Sequence, residues 1–186
     1  RQAWADPGDG RSPHVWGRAV GWFMMALVDI LDFFPAAHPE FPSLVKILQS
    51  LSAALVPFQD RNSGLWYQII DQPERAGNYL ESSASAMFTY AFAKAVRNHY
   101  LPHEFYLSAQ RAFRGLLEKH IKIDQNGFLT LGATCGGVGL GGEPYRDGSF
   151  EYYVQAPIIA NDFKGAGPFV LAALEMEAIP AVLPSE

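Results

Sequence analysis

Trp16-Gly17-Arg18-Ala19-Val20-Gly21-Trp22-Phe23-Met24-Met25-Ala26-Leu27-Val28 is the stretch that decides the fold. Trp22, Met25, Ala26, Asp29 and Ile30 share one helical face, and Val20, Phe23, Leu27 and Leu31 form another. A helix apolar on that many sides is buried on most of them. The spacing predicts a helix over 16–34, stopped by Pro35. Its partner is predicted over 42–58, with Pro42 in the first turn, where its missing N–H costs nothing. Leu44, Ile47, Leu48, Leu51, Ala54 and Leu55 recur there at helical intervals.

The same design then returns. A turn, Asp60-Arg61-Asn62-Ser63-Gly64, leads into a predicted strand at 65–70, and a third helix is predicted over 82–97. A fourth over 102–120 runs into Asp124-Gln125-Asn126-Gly127 and a second short strand at 128–131. Helix pair, polar turn, glycine and short β segment recur at a period of roughly sixty residues, the mark of a helical-hairpin array. The helix that opens each pair is the more uniformly apolar one, as an inner ring wrapped by an outer ring requires. The expected fold is all-α, a helical-hairpin α/α toroid with short β segments in its loops. Residues 132–161 are glycine-rich and lack periodicity, which in a compact domain marks a functional segment. A last helix is predicted over 162–177, and 179–186 is expected to be an extended or frayed end.

Composition narrows the function. Apolar residues make up 49% and charged residues 18% of 186, enough for a core and too apolar for a disordered tail. Aromatics, at 13%, exceed what a helical core needs, and pyranose stacking is one outlet for them. The net charge is −5 and the basic residues do not cluster, which argues against a nucleic-acid surface and a polybasic membrane patch. No uninterrupted apolar run approaches the ~20 residues of a membrane span. The chain starts at Arg1 without an initiator Met or an apolar leader, so it is read as processed or trimmed. Cys135 is alone, which rules out an intramolecular disulfide and fits a reducing compartment, the cytoplasm being favoured. It is expected to be buried as a small hydrophobe rather than to act as a nucleophile. The five histidines show no metal spacing, and the run Gly136–Gly142 lacks the frame of either nucleotide-binding pattern, so no cofactor or metal is expected.

Several residues stand out against that background. Arg18, in the first turn of a buried helix, opposes the helix dipole and is costly to desolvate, so it needs an anion. Either a core carboxylate or a substrate supplies it, and the flanking Trp16 and Trp22 favour a site. Lys164, in Asn161-Asp162-Phe163-Lys164, stands at another helix start, and one anionic ligand between the two cations would serve both. His14 lies beside this suspected site. Glu81 is read as favouring the start of the third helix, with Ser82 or Ser83 as the cap; a catalytic acid is the other reading. Tyr145–Tyr153 is a cleft wall or lid, or an ordered loop whose Arg146 and Asp147 satisfy the backbone and each other.

Taken in order, Trp4-Ala5-Asp6, the Trp16–Trp22 motif, Gly64-Leu65-Trp66-Tyr67-Gln68 and Asn78-Tyr79-Leu80-Glu81-Ser82-Ser83-Ala84-Ser85 form a pattern. It continues in Arg146-Asp147-Gly148-Ser149, Glu151-Tyr152-Tyr153, and Asn161-Asp162 with Lys164-Gly165 and Gly167-Pro168-Phe169. This pattern resembles the unsaturated rhamnogalacturonyl hydrolases, glycoside hydrolase family 105, from residue 4 to about 178. The resemblance implies a six-hairpin α/α barrel and removal of an unsaturated uronic acid from lyase-generated pectin-type oligosaccharides. It implies hydration of the C4=C5 bond by a protonated Asp and water, not displacement at C1 between two carboxylates. Arg18 and Trp22 match the family's cleft arginine and tryptophan, with Trp16 beside them; Lys164 is an anion contact by position.

One departure follows. The family chain is about twice as long, and its acid Asp lies upstream of the Trp-x-Arg motif. Only Asp6 and Asp9 precede that motif here, in a loop unlike the acid's surroundings. Residues 1–186 are therefore expected to be a single partial domain, the C-terminal half of the barrel, holding substrate without the acid. A missing N-terminal half or a second copy of the chain is the expected partner. The alternative is a non-catalytic carbohydrate-binding or self-associating half-barrel.

Overall fold

The computed structural model describes residues 3–178. Six helices and four short strands follow in the order α1 (Gly17–Ile30), α2 (Phe41–Leu55), α3 (Ser82–Arg97), α4 (Glu104–Lys119), β1 (Ile121–Ile123), β2 (Leu129–Leu131), β3 (Thr134–Cys135), α5 (Phe150–Val154), β4 (Ile158–Ile159) and α6 (Phe163–Ala178). Helix α3 is the centre. It packs against α1 on one side and α6 on the other, with α4 behind it. Every residue from Ser82 to Val96 is buried. The α/α toroid arrangement of inner and outer helices is therefore present, with α1, α3 and α6 in one layer.

The layers are joined by aromatic packing. Trp66 is fully buried, meets Phe88 and Phe92 edge-on at 5.2 and 6.0 Å, and donates its indole N–H to the Leu55 carbonyl at the end of α2 (2.9 Å). Where α4 crosses the Asp60–Gly64 turn, the backbones meet so closely that a Cβ on Gly115 would lie 1.9 Å from the Ser63 carbonyl oxygen. Only glycine fits there. The flanks of the layer differ from its middle. Trp22, Phe23 and Ile30 on α1, and Val170 and Leu174 on α6, are about half exposed.

Local structure departs from the periodicity in four places. Helix α1 ends at Ile30, before Pro35, because Asp32, Phe33 and Phe34 turn back onto the carbonyls of Asp29 and Ile30. After Leu55 the second helix tightens into a 3₁₀ turn, Val56–Phe58, around Pro57, which has no N–H to continue an α-helix. Phe41–Phe58 as a whole is long and apolar enough by composition to cross a membrane, at a mean hydropathy of 1.4, but Lys46 interrupts it. Residues 65–70 form no strand. They thread between the start of α1 and Tyr79–Glu81, pairing one bridge at a time at Trp16–Ile69 and Tyr67–Leu80. The predicted strand at 128–131 is half of a hairpin whose other half, Ile121–Ile123, lies where the helix was expected to have just ended. The Asp124 carboxylate accepts from the backbone N–H groups of Asn126 and Phe128, and Gly127 takes φ +83°, which closes the turn. The tail beyond Ala178 lies outside the described residues.

Candidate active site at the helix starts

The starts of α1, α3 and α6 converge on one short strand. Ser82 of α3 donates its backbone N–H to the Ala133 carbonyl (3.0 Å) and its hydroxyl to that of Gly132. Asn161, just before α6, exchanges hydrogen bonds with the Leu131 backbone at 2.8 Å. From α1, Arg18 reaches across to the Cys135 carbonyl and donates to the Ser83 hydroxyl (3.3 Å). The run Leu131–Cys135, from the end of β2 into β3, is thus anchored by all three inner helices.

Arg18 is 1% exposed. Both recorded bonds run through Nη1, and Nη2 has no partner among the described residues. No carboxylate forms an ion pair with it among those residues. Its guanidinium carbon lies 5.0 Å from the centre of the Trp16 ring, so one of the two framing indoles covers it. Trp22 does not; it is 47% exposed on the open flank of α1. The long arginine side chain leaves the face that its spacing shares with Trp22 and turns inward to β3.

Glu81 is the N-cap itself, in place of Ser82 or Ser83. Its carboxylate accepts from the Ala84 N–H (2.7 Å), the Cys135 N–H (2.9 Å) and the Ser83 hydroxyl (2.8 and 2.9 Å), and the residue is fully buried. Lys164 does not share an anion with Arg18. Asp162, two residues before it, holds its ammonium at 2.7 Å. Asp162 also caps the backbone N–H of Lys164 (2.9 Å), and the lysine's hydrogen bond keeps its carboxyl below the ordinary aspartate range. His14 pairs its Nδ1 with Gln72 (2.7 Å) and meets Phe150 edge-on. A cavity of about 560 Å³ opens here, lined by Trp4, His14, Trp16, Val20, Leu140 and Tyr153. Trp16 is common to this cavity and to the guanidinium contact. Of the predicted site residues, the structure brings together Arg18, Trp16 and His14, and sets Trp22 and Lys164 apart from them.

Other members of the cluster carry no recognisable spacing. Gln68 is fully buried; its amide donates to Cys135 Sγ at 3.0 Å, while its Oε1 has no partner among the described residues. The Tyr79 hydroxyl is also unpartnered, and burial, reinforced by Cys135 and Glu81, raises its pKa far above the ordinary phenol. Cys135 is buried, as expected, and its peptide group is the hub. Gln68 is signalled in the sequence only as a polar residue in an apolar run and as the last residue of a quoted motif; Tyr79 lies inside another such motif without a role, and Ser83 reads only as a candidate helix cap. In the 145–153 segment Asp147 caps the Ser149 N–H and Arg146 donates to the Gly141 carbonyl, so each satisfies backbone and not the other.

Layered helical hairpins with buried charge gathered at the starts of the inner helices define a protein of the α/α-toroid class. The chain belongs to glycosyl hydrolase family 88, whose sequence profile it matches over residues 1–179. It is 42% identical over 182 residues to a protein of Rhizobium radiobacter described as a 24.9 kDa protein in picA locus, covering 94% of this chain and 76% of that one. A 71-residue segment, 38% of this chain and 20% of the other, is 42% identical to the unsaturated rhamnogalacturonyl hydrolase YesR of Bacillus subtilis. Among solved structures, a family 105 glycoside hydrolase of Clostridium acetobutylicum superposes with a TM-score of 0.92 at 45% identity, over 94% of this chain. The chain spans 49% of that structure, about half its length.

Proposed function

We propose that this chain is the substrate-holding half of an α/α-barrel hydrolase that removes unsaturated uronic acid from pectin-type oligosaccharides. The observation that carries the reading is Arg18: a buried guanidinium at a helix start, tied through Nη1 alone, with Nη2 unpartnered and no ion-paired carboxylate among the described residues. A cation so placed is complementary to a carboxylate brought by a ligand. A sugar ring seated in the neighbouring cavity would lie against Trp16; Arg18, which backs that indole and does not line the cavity, would act on the ring's carboxylate through its buried charge. His14 and Tyr153 supply the remaining wall. In the proposed reaction a protonated Asp gives its proton to C4 of the C4=C5 bond and water adds its oxygen at C5. The second proton of that water returns to the carboxylate, and the hydrated sugar opens and leaves. That Asp is supplied from outside this chain, by the hairpins that complete the ring against the open flanks of α1 and α6.

Calorimetric titration with an unsaturated galacturonyl-rhamnose disaccharide tests the holding role. Saturable binding is expected, weakened at least about tenfold by Arg18→Ala, which removes the buried positive charge and the cation behind the Trp16 ring. Equal affinity of the wild-type chain and the Arg18→Ala variant would refute the reading.

A further inference from the structure

We infer that Glu81 is the positioning residue for Arg18. The two charges do not touch, yet each holds the same two groups. The Ser83 hydroxyl donates to the Glu81 carboxylate and accepts from Arg18 Nη1. The Cys135 residue donates its N–H to Glu81 at 2.9 Å and accepts from Arg18 at its carbonyl. One carboxylate thus polarises the Ser83 hydroxyl directly and, through the N–H of Cys135, fixes in place the residue whose carbonyl is the second acceptor. All four residues are buried, so these contacts act in a low dielectric, where hydrogen-bond chains reinforce one another.

Two consequences follow from this geometry. Glu81 offsets the buried charge of Arg18 without occupying it, because the Ser83 hydroxyl and the two backbone groups of Cys135 take the place of a direct ion pair. Both anchors also draw on Nη1, so the guanidinium is fixed in orientation while Nη2 is left unpartnered among the described residues. An ordinary helix cap needs only the Ala84 contact (2.7 Å), which a serine or aspartate would provide. The longer glutamate adds the reach to Ser83 and to β3.

The test needs a readout that does not depend on sugar, because the value of Arg18 as an anion contact rests on the function proposed above. Side-chain ¹⁵N spectroscopy of the intact chain provides it. In the wild-type protein the Arg18 Nη1 and Nη2 signals are expected to be separate, since rotation about the Nε–Cζ bond is blocked. In Glu81→Gln they are expected to collapse to one averaged signal. Tyr90→Phe loosens the far end of α3 and should leave them separate. Should Glu81→Gln fail to fold, Ser83→Ala keeps the Ala84 cap and removes the bridge, and the same collapse is expected. Separate Arg18 signals in the folded Glu81→Gln variant, or in Ser83→Ala, would overturn the inference, as would their loss in Tyr90→Phe. A second arm compares affinity for the disaccharide with that for its methyl ester. Glu81→Gln is expected to reduce the preference for the acid by about tenfold while sparing affinity for the ester, the mark of a charge-specific effect. Collapse of the signals without any wild-type preference for the acid would leave the positioning role standing and remove the proposed function.

Discussion

The two ends of the α1–α3 pair are both charged and both partly buried, and they are built on opposite principles. At the helix starts, Arg18 and Glu81 are linked only through Ser83 and Cys135, and polar atoms of Arg18, Gln68, Tyr79 and Thr134 lack partners among the described residues. At the far end, Lys94 is paired directly with Asp29 at 2.6 Å and Asp32 at 2.8 Å, and also meets the Tyr90 hydroxyl at 3.1 Å. Nearby, Arg97 grips both oxygens of Glu175, tying α3 to α6. Direct pairing with nothing left over fastens helices. Indirect pairing with donors in reserve costs stability, because an unmatched buried polar atom forgoes its hydrogen bond with water. That contrast separates a fastened end of the layer from the end where the proposed function is placed.

Breaking the far end should have the largest effect on stability. Lys94→Met removes the cation from two carboxylates and is expected to cost about 3 kcal/mol, read from the urea midpoint, with disaccharide affinity unchanged. Its pH dependence has a definite sign. Burial alone would lower the Lys94 pKa, but hydrogen bonds to Asp29, Asp32 and Tyr90 outweigh it and raise the pKa above its ordinary 10.5. Burial and Asp29 likewise push Tyr90 up to about 12. A raised folded-state pKa gives stability that is fully present below the unfolded value and is lost as pH rises through the folded one. The gap between wild type and Lys94→Met should therefore stay constant through neutral pH and shrink only above 10.5.

Smaller effects sharpen the contrast at the helix starts. A Cβ on Gly165 would lie 2.4 Å from Thr134 Oγ1, so Gly165→Ala should displace β3 and cost about 2 kcal/mol in thermal unfolding. A double-mutant cycle of Arg18→Met and Glu81→Gln should show a coupling of about 1 kcal/mol although the two side chains do not meet. Zero coupling would mean that the bridge through Ser83 and Cys135 transmits nothing. Least of all, Gly167→Ala meets no atom within 4 Å and should stabilise α6 by about 0.5 kcal/mol, seen as a small rise in Tm.

The helices were legible because their signal is periodic. Ser82–Arg97 was bounded to the residue, since fifteen buried positions in sequence leave little freedom in where a helix starts or stops. The short β segments were less legible. Residues 65–70 look like a strand because they are apolar and β-branched, yet they pair with two different neighbours for one bridge each, which only tertiary context decides. The site was half legible. Arg18 declared itself by standing at the wrong end of a dipole, and the same argument at Lys164 meets a partner two residues away in sequence, Asp162. Glu81, Ser83 and Cys135 meet only because the glycine-rich segment folds back from residue 135 onto residues 81–83, and no local pattern encodes that return.

The central claim is that this half of the ring holds the unsaturated sugar and does not itself turn it over. Incubating the 186-residue chain with the unsaturated galacturonyl-rhamnose disaccharide, and following the absorbance of the C4=C5 bond, tests it directly. Constant absorbance is expected with the chain alone at concentrations that saturate binding. Loss of absorbance catalysed by the chain alone, and abolished by Arg18→Ala, would contradict it.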